Sequence, residues 1–407
     1  MHKYVDDEET LPKTSCTKKI IMSNEQFLMN PTGYESDEDG FECEDLGETE
    51  DLDAQEKPFD PKKVDVSIST PNMGSIINRL KHEEINLMPD FQRSGDLWSR
   101  EAQSRLIESM LIRLPIPAFY FDAISDDRWQ VVDGLQRLSA ISNFVITKKL
   151  RLTKLEFLKD YEGFYYDDLP RSLARRIDEF QTSVYLIKPG TPLMMKYSLF
   201  HRINTGGLKL TRQEIRHAMS QSIHEGVASK FLGQIVQEKE FIRVVGNQNN
   251  RMSYQELVLR HMAFRLLGHG TYKSSLPKFL DQAMLELSDL KSADRDLLRD
   301  DFLKSMSTAY KLFDKDAFKK TLAEPKHKKV VNKPLFDAVS VCIAVLDDDA
   351  RTNLIKHVDK FREEFKVLLK SDKFHDAISR STSNKDKVEV RFDKTMGIIE
   401  KFSVKDL

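Results

Sequence analysis

The sequence contains little cysteine and no long apolar run. Its three cysteines (Cys16, Cys43 and Cys342) are odd in number and far apart, so they match neither a disulfide framework nor a metal-binding spacing. No stretch of 18 apolar residues occurs, and the first ten residues, MHKYVDDEET, are acidic where a secretion signal would be apolar. The sequence therefore predicts a cytoplasmic protein in a reducing environment, with no membrane partner.

Charge is distributed unevenly along the chain. Residues 1–60 hold 18 acidic and 5 basic side chains, a net charge of −13, whereas residues 61–407 hold 47 acidic and 58 basic ones, a net charge of +11. The acidic stretch is either a solvated, solubilising leader or a shield that keeps phosphate polymers off the basic body. Composition alone leaves both interpretations open.

The pattern of apolar residues predicts an α+β fold. Residues 1–62 have few aliphatic side chains and many carboxylates, which predicts a disordered acidic N-terminal tail. Strand-like and helix-like segments alternate over residues 63–218, which predicts a small mixed α/β domain. Over residues 219–407 helical periodicity dominates and predicts an α-helical C-terminal domain, although VEVRF (388–392) alternates as a strand does.

The stretch VVDGLQR (131–137) is the first candidate site. A strand that enters Asp-Gly and then a helix is a geometry that binds phosphate: Asp133 would cap the helix, Gly134 would admit a ligand, and Arg137 would fork onto phosphate oxygens. Gln136 can orient a water molecule, and Asp133 can hold a divalent cation or accept a proton. The plainer alternative is a capping Asp, a turn Gly and a surface Arg.

Two further polar stretches strengthen the functional interpretation. PDFQR places Gln92 and Arg93 in a loop before a helix, and HRINTGG places Asn204 and the pair Gly206-Gly207 between two helices. Amides in such a glycine-rich loop can face an anion.

Part of the second stretch has a structural explanation. Thr211 and Glu214 have the spacing of a capping box, in which each side chain bonds the backbone N–H of the other. This pair therefore predicts the start of a helix rather than a ligand contact.

Taken together, these stretches resemble the N-terminal domain of GmrSD-type restriction enzymes, known as the DGQQR domain. The resemblance covers about residues 70–218, through MPDFQRSGDLWSREAQSRLIESMLIRLPIPAFYF, WQVVDGLQRLSAI and LFHRINTGGLKLTRQEIRHA in the same order. It implies a fold similar to ParB and sulfiredoxin, hydrolysis of nucleoside triphosphates, and a role in the regulation of DNA restriction or in defence against phage. From the chemistry of the residues we expect Mg²⁺ as the cofactor.

The resemblance also implies functional residues. Asp133, Gly134, Gln136 and Arg137 match the family's signature, and Arg93 and Asn204 match other motif positions. We expect catalytic roles for Asp133, Gln136 and Arg137, with Asp133 as the metal ligand. The residues expected to bind nucleotide are Gln92, Arg93, Gly134, Arg137, Asn204 and Gly207.

One position departs from the family pattern. Leu135 stands where the family has a glutamine. If that amide positions the attacking water, this chain binds nucleotide without hydrolysing it; if it points into the fold, leucine is a neutral replacement.

Two alternatives remain open at this point. The protein could be a non-catalytic DNA-binding or adaptor module whose basic stretches (147–154, 171–176 and 326–329) track a phosphate backbone. It could also be a DNA endonuclease subunit, but the histidines after residue 219 form no nuclease motif, so a partner nuclease is the expected source of cleavage.

Overall fold

A computed structural model describes residues 41, 42, 44, 65–87, 98–203, 211–220, 223–246 and 251–404. Strands occur in the first half of this range and helices dominate the second, which confirms the predicted α+β class. The predicted domain boundaries at residues 62 and 218 stay predictions. Most of the acidic tail, with Gln92, Arg93, Asn204 and Gly207, lies outside the described residues.

A five-stranded mixed sheet organises the first half, which we call the sheet half. Its strands are β1 (Val66–Ser69), β2 (Ile85–Asn86), β3 (Phe119–Ser125), β4 (Arg128–Asp133) and β5 (Val184–Ile187), and their order is β1-β5-β3-β4-β2. The β3–β4 and β1–β5 pairs are antiparallel, whereas the β3–β5 and β2–β4 pairs are parallel. The strand β4, which ends in the VVD of the candidate site, therefore lies inside the sheet with a neighbour on each side.

Helices cover both faces of this sheet. They are α1 (Met73–Lys81), α2 (Arg100–Leu111), α3 (Leu135–Ile141), α4 (Arg171–Asp178), α5 (Leu193–Ile203) and α6 (Arg212–Ser220). Because side chains alternate along a strand, Val131 joins the core that contains α1 to α4, and Val132 joins the core that contains α5 and α6. A π-helical segment, Ser142–Ile146, continues α3.

The second half, the helical half, surrounds a large apolar core. Its helices are α7 (Val227–Ile235), α8 (Lys239–Val245), α9 (Arg251–Leu267), α10 (Leu276–Asp289), α11 (Ser292–Phe313), α12 (Lys333–Ala344), α13 (Asp348–Lys356), α14 (Val358–Lys370), α15 (Asp372–Ala377) and α16 (Lys385–Ser403). The helix α12 is buried along almost its whole length and contacts α9, α11 and α16. None of the described helices is long and apolar enough to cross a bilayer.

The strand-like pattern at 388–392 was misleading. These residues lie in α16, where Val388, Arg391, Phe392, Thr395 and Ile399 are buried at the spacing of one helical face. A charged residue at 391 hid this face, since a buried arginine does not register as apolar. The segment VEVRF is therefore helical, and its alternation does not mark a strand.

Candidate functional site

The turn between β4 and α3 is set by the packing of Gly134. Its φ is +104°, a value that L side chains rarely adopt, and a Cβ at this position would lie 2.4 Å from a ring carbon of Phe119. Gly134 is also the N-cap of α3, which has no side-chain capping bond, so the prediction that Asp133 caps this helix is wrong. The absence of a side chain at Gly134 thus allows the Phe119 ring to pack closely against the turn. Asp133 is the last residue of β4.

Arg137 is buried rather than on the surface, with 8% of its area exposed. Its Nη2 donates to Asp133 Oδ2 at 2.8 Å, and its Nη1 donates to the carbonyl oxygens of Ala118 at 3.0 Å and of Pro117. Burial lowers the pKa of the guanidinium, and the charge of Asp133 offsets part of that effect. The fork that was expected to hold phosphate therefore binds groups of the protein itself.

Asp133 keeps partial access to solvent, with 31% of its side chain exposed beside Arg137. In the sheet it lies opposite Tyr120, whose ring stacks on Tyr185 at 4.7 Å between centroids. Burial raises the pKa of Tyr120, and the charges of Tyr185 and Asp133 add to that effect. The sequence analysis missed these two tyrosines because their proximity depends on strand register, which the sequence pattern did not reveal.

Gln136 links the corner to a second motif block. Its Oε1 accepts a hydrogen bond from the backbone N–H of Trp98 at 3.1 Å. Trp98 directly follows residues 88–97, which contain the predicted ligands Gln92 and Arg93. The amide that was expected to orient water thus holds the chain at Trp98, five residues after PDFQR.

The third motif block reaches the same strand from the other face. Ile203 is the last residue of α5 and the last described residue of HRINTGG. It packs against the cluster that contains Val132. After that loop, the Thr211 N–H donates to Glu214 Oε2 at 2.6 Å, and the Glu214 N–H donates to Thr211 Oγ1 at 3.2 Å. The predicted capping box is confirmed.

Most of the sheet half matches a known protein family. Residues 74–220 match the family model described as the GmrSD restriction endonuclease, N-terminal domain. This segment belongs to the GmrSD N-terminal domain family. No curated protein matches the chain.

Within the GmrSD N-terminal domain, Leu135 packs against the core on the side of α1 to α4. It is half-buried, and its side chain contributes to the apolar contacts of the sheet half. Leucine at this position therefore has a packing role, whichever role the family's glutamine has.

The corner presents one partly exposed carboxylate, that of Asp133. No group of three or more His, Cys, Asp or Glu side chains with the geometry of a metal site occurs in the described ranges. Mg²⁺ commonly uses one or two carboxylates and takes its other ligands from substrate phosphates and water. Asp133, accessible and held in place by Arg137, can supply the single carboxylate.

Two histidines of the helical half, His261 and His269, pack against neighbouring side chains. His261 is fully buried, and its Nδ1 lies 2.8 Å from Ser340 Oγ. Burial, together with the charge of Arg265, lowers the pKa of His261 to about 3, so it is neutral at physiological pH. His269 stacks on Phe392 at 4.8 Å. Both residues are thus held by packing contacts within the helical half.

Proposed function

We propose that this protein binds a nucleoside triphosphate together with Mg²⁺ at the β4–α3 corner, and that the nucleotide controls DNA restriction. The observation that supports this proposal is the convergence of three distant motif blocks on β4 and its turn. Trp98 reaches Gln136, Val132 packs with Ile203, and Asp133 stands at the accessible end of the strand. Restriction is the context in which the family's domain is named.

In this proposal each signature residue has a distinct role. Asp133 would hold the Mg²⁺ that the triphosphate carries, and that ion would neutralise charge on the phosphates. Arg137 fixes the Asp133 carboxylate through their 2.8 Å contact, so its role is to position that residue. Arg93, Gln92, Asn204 and Gly207 would contact the nucleotide from the two adjoining loops, and Gln136 would orient water.

A second candidate is nucleotide binding without turnover, in which the nucleotide acts as a switch. Two observations favour it: the Arg137 fork already donates to three protein oxygens, and Gln136 already accepts from Trp98. Neither side chain can then serve a transition state unless the corner rearranges. The two candidates differ in phosphate release but not in nucleotide binding.

A nucleotide panel tests the proposal. Binding of, and phosphate release from, ATP, GTP, CTP and UTP would be measured with Mg²⁺ for the wild-type protein and for Asp133→Ala. Asp167→Ala is a matched control, because Asp167 is an exposed acid paired with Lys148 in the same half. We expect at least tenfold weaker nucleotide binding for Asp133→Ala. The control Asp167→Ala should bind as tightly as the wild type. Equal binding by both variants, or no binding of any nucleotide by the wild type, would refute the proposal.

The variant Leu135→Gln separates turnover from binding. It restores the family's residue at a half-buried position, so the fold should tolerate it with a small loss of stability. If the family's amide acts on water, phosphate release rises severalfold while nucleotide affinity is unchanged. If release does not change, the amide has no catalytic role in this corner.

DNA cleavage in this proposal comes from a partner nuclease. The basic stretches of the sheet half are partly neutralised, since Lys148 pairs with Asp167, Lys154 pairs with Glu101, and Arg175 pairs with Glu179. Any contact with DNA through these stretches would weaken steeply with salt. The test is filter binding of duplex DNA across a salt series, with and without the nucleotide that the panel identifies.

A further inference from the structure

Three residues of the predicted acidic tail have a defined place in the fold. Phe41, Glu42 and Glu44, which we call the strap, all contact the helical half, although the sheet half separates them from it in sequence. At these positions the prediction of a disordered tail is wrong. The reason is that an aromatic residue and two carboxylates find specific partners that composition does not reveal.

Phe41 is the apolar anchor of the strap. It is 2% exposed, forms a parallel bridge with Val331, and contacts the Tyr254 ring edge-on at 5.4 Å between centroids. The Nζ of Lys333 lies 5.1 Å from the centroid of the Phe41 ring, within the range of a cation–π contact. An aromatic side chain in a fitted pocket is the usual anchor of a recognised segment.

Glu42 adds both backbone and side-chain bonds. Its N–H donates to the carbonyl oxygen of Val331 at 3.1 Å. Its carboxylate accepts from Lys320 Nζ and from Asn332 Nδ2, the latter at 3.1 Å. The backbone bond next to the Phe41 bridge resembles the addition of a short strand to an exposed edge.

The Glu44 carboxylate accepts two hydrogen bonds from the guanidinium group of Arg260. Arg260 donates through Nη1 to Oε2 at 2.7 Å and through Nη2 to Oε1 at 2.9 Å, and Thr382 Oγ1 donates to Oε1 at 3.0 Å. A bidentate arginine contact selects a carboxylate or a phosphate oxygen pair over other groups. Burial alone would raise the pKa of Glu44, but the charge and hydrogen bonds of Arg260 outweigh it and lower the pKa to about 2.

Without the strap, the site beneath it would carry excess positive charge. Arg260 and Arg391 are each 1% exposed and share one carboxylate, Asp337, at 2.7 and 3.4 Å. Lys320 and Lys333 add two further cations, and Lys333 lies 3.8 Å from Glu256 of the helical half. The carboxylates paired with Arg260, Arg391 and Lys320 are Asp337 of the helical half and Glu42 and Glu44 of the strap, so the strap supplies much of the neutralising charge.

We propose that the helical half contains a docking site for a short acidic segment with an aromatic anchor, of the form Phe-Glu-x-Glu, and that Phe41, Glu42 and Glu44 of this chain are its reversible occupant. The elements that form it are distinct parts of the helical half: α9, the turn before α12 and the turn before α16. Each contributes a side chain or carbonyl that bonds to the segment, as does Lys320. The inference stands independently of the proposed nucleotide site.

The test uses the full chain with its own segment disabled. A labelled peptide of residues 36–50 is titrated by fluorescence anisotropy into the wild type and into Phe41→Ala/Glu42→Gln/Glu44→Gln. We expect at least tenfold tighter binding to the variant, because the wild type's own segment competes. A peptide with Glu44→Gln should bind at least tenfold more weakly, whereas one with Glu48→Gln is the matched control. Equal affinity for both proteins, or no difference between the two peptides, overturns the proposal.

A second measurement needs no variant. Amide hydrogen exchange in the wild type compares the Glu42 N–H with that of Leu259, which lies in the buried part of α9. A reversible occupant opens locally, so the Glu42 amide should exchange at least a hundredfold faster. If both amides exchange at the same rate, the segment is an integral part of the core and the proposal is wrong.

Discussion

Two buried arginines show how differently the two halves neutralise charge. Arg137 in the sheet half pairs with Asp133, four residues away, and with nearby carbonyl oxygens. Arg260 in the helical half pairs with Asp337 and Glu44, which are 77 and 216 residues away in sequence. A buried cation needs a partner in either case, but only the local pair leaves a spacing that can be read from sequence.

The remote network predicts the largest effect. Asp337→Asn removes the one helical-half carboxylate that Arg260 and Arg391 share, leaving excess positive charge in the core. We expect the free energy of unfolding to fall by about 4 kcal/mol, since breaking a buried pair strands its partner. Urea or thermal unfolding measures this change.

The matched control for this variant is Asp301→Asn. Asp301 pairs with Arg265 on the surface, where each side chain is 32% exposed, so the loss should stay below about 1 kcal/mol. Equal losses for the two variants would mean that the Arg260 network adds no more than a surface pair.

Acid should act on the same network through Glu44. Its pKa falls from an ordinary 4.5 to about 2 in the folded protein, so its contribution is complete above about pH 5 and is lost as pH falls towards 2. The lowering corresponds to at most about 3 kcal/mol. We expect the unfolding free energy of Glu44→Gln to vary less with pH in this window than that of the wild type. Parallel pH profiles for the two proteins would show that Glu44 is not the titrating group.

The predictability of the fold followed the same division between local and remote contacts. Periodicity identified the α+β class and the capping box at Thr211, because these depend on neighbours in sequence. It failed at α16, where the buried Arg391 breaks the apolar face, and at Phe41, whose pocket lies against Val331. Both failures involve partners that are far away along the chain.

The corner itself was predicted in its composition but not in its geometry. The motif located Asp133, Gly134, Gln136 and Arg137 together, and the structure brings these four residues to one turn. The sequence did not indicate that Phe119 requires the glycine or that Arg137 points inward, because both depend on the pairing of β3 with β4.

Gly134→Ala tests whether this remote contact sets the turn. Gly190 is the matched control, with a similar φ of +90° but no atom within 4 Å of an added Cβ, so Gly190→Ala measures backbone strain alone. We expect Gly134→Ala to cost about 2 kcal/mol more than the control, because the new methyl group meets the Phe119 ring. Thermal unfolding gives both values, and Phe119→Leu should recover part of the excess. Equal costs would leave φ as the sole reason for the glycine.

The capping box at the start of α6 predicts the smallest effect and isolates a purely local contact. Thr211→Ala removes the oxygen that accepts from the Glu214 N–H, and the expected cost is about 1 kcal/mol. Thr211→Ser keeps that oxygen and should restore nearly all of the loss in thermal unfolding. A cost well above 2 kcal/mol, unrelieved by serine, would show that Thr211 supports contacts beyond its own helix. In that case sequence spacing would underestimate even the local interactions of this protein.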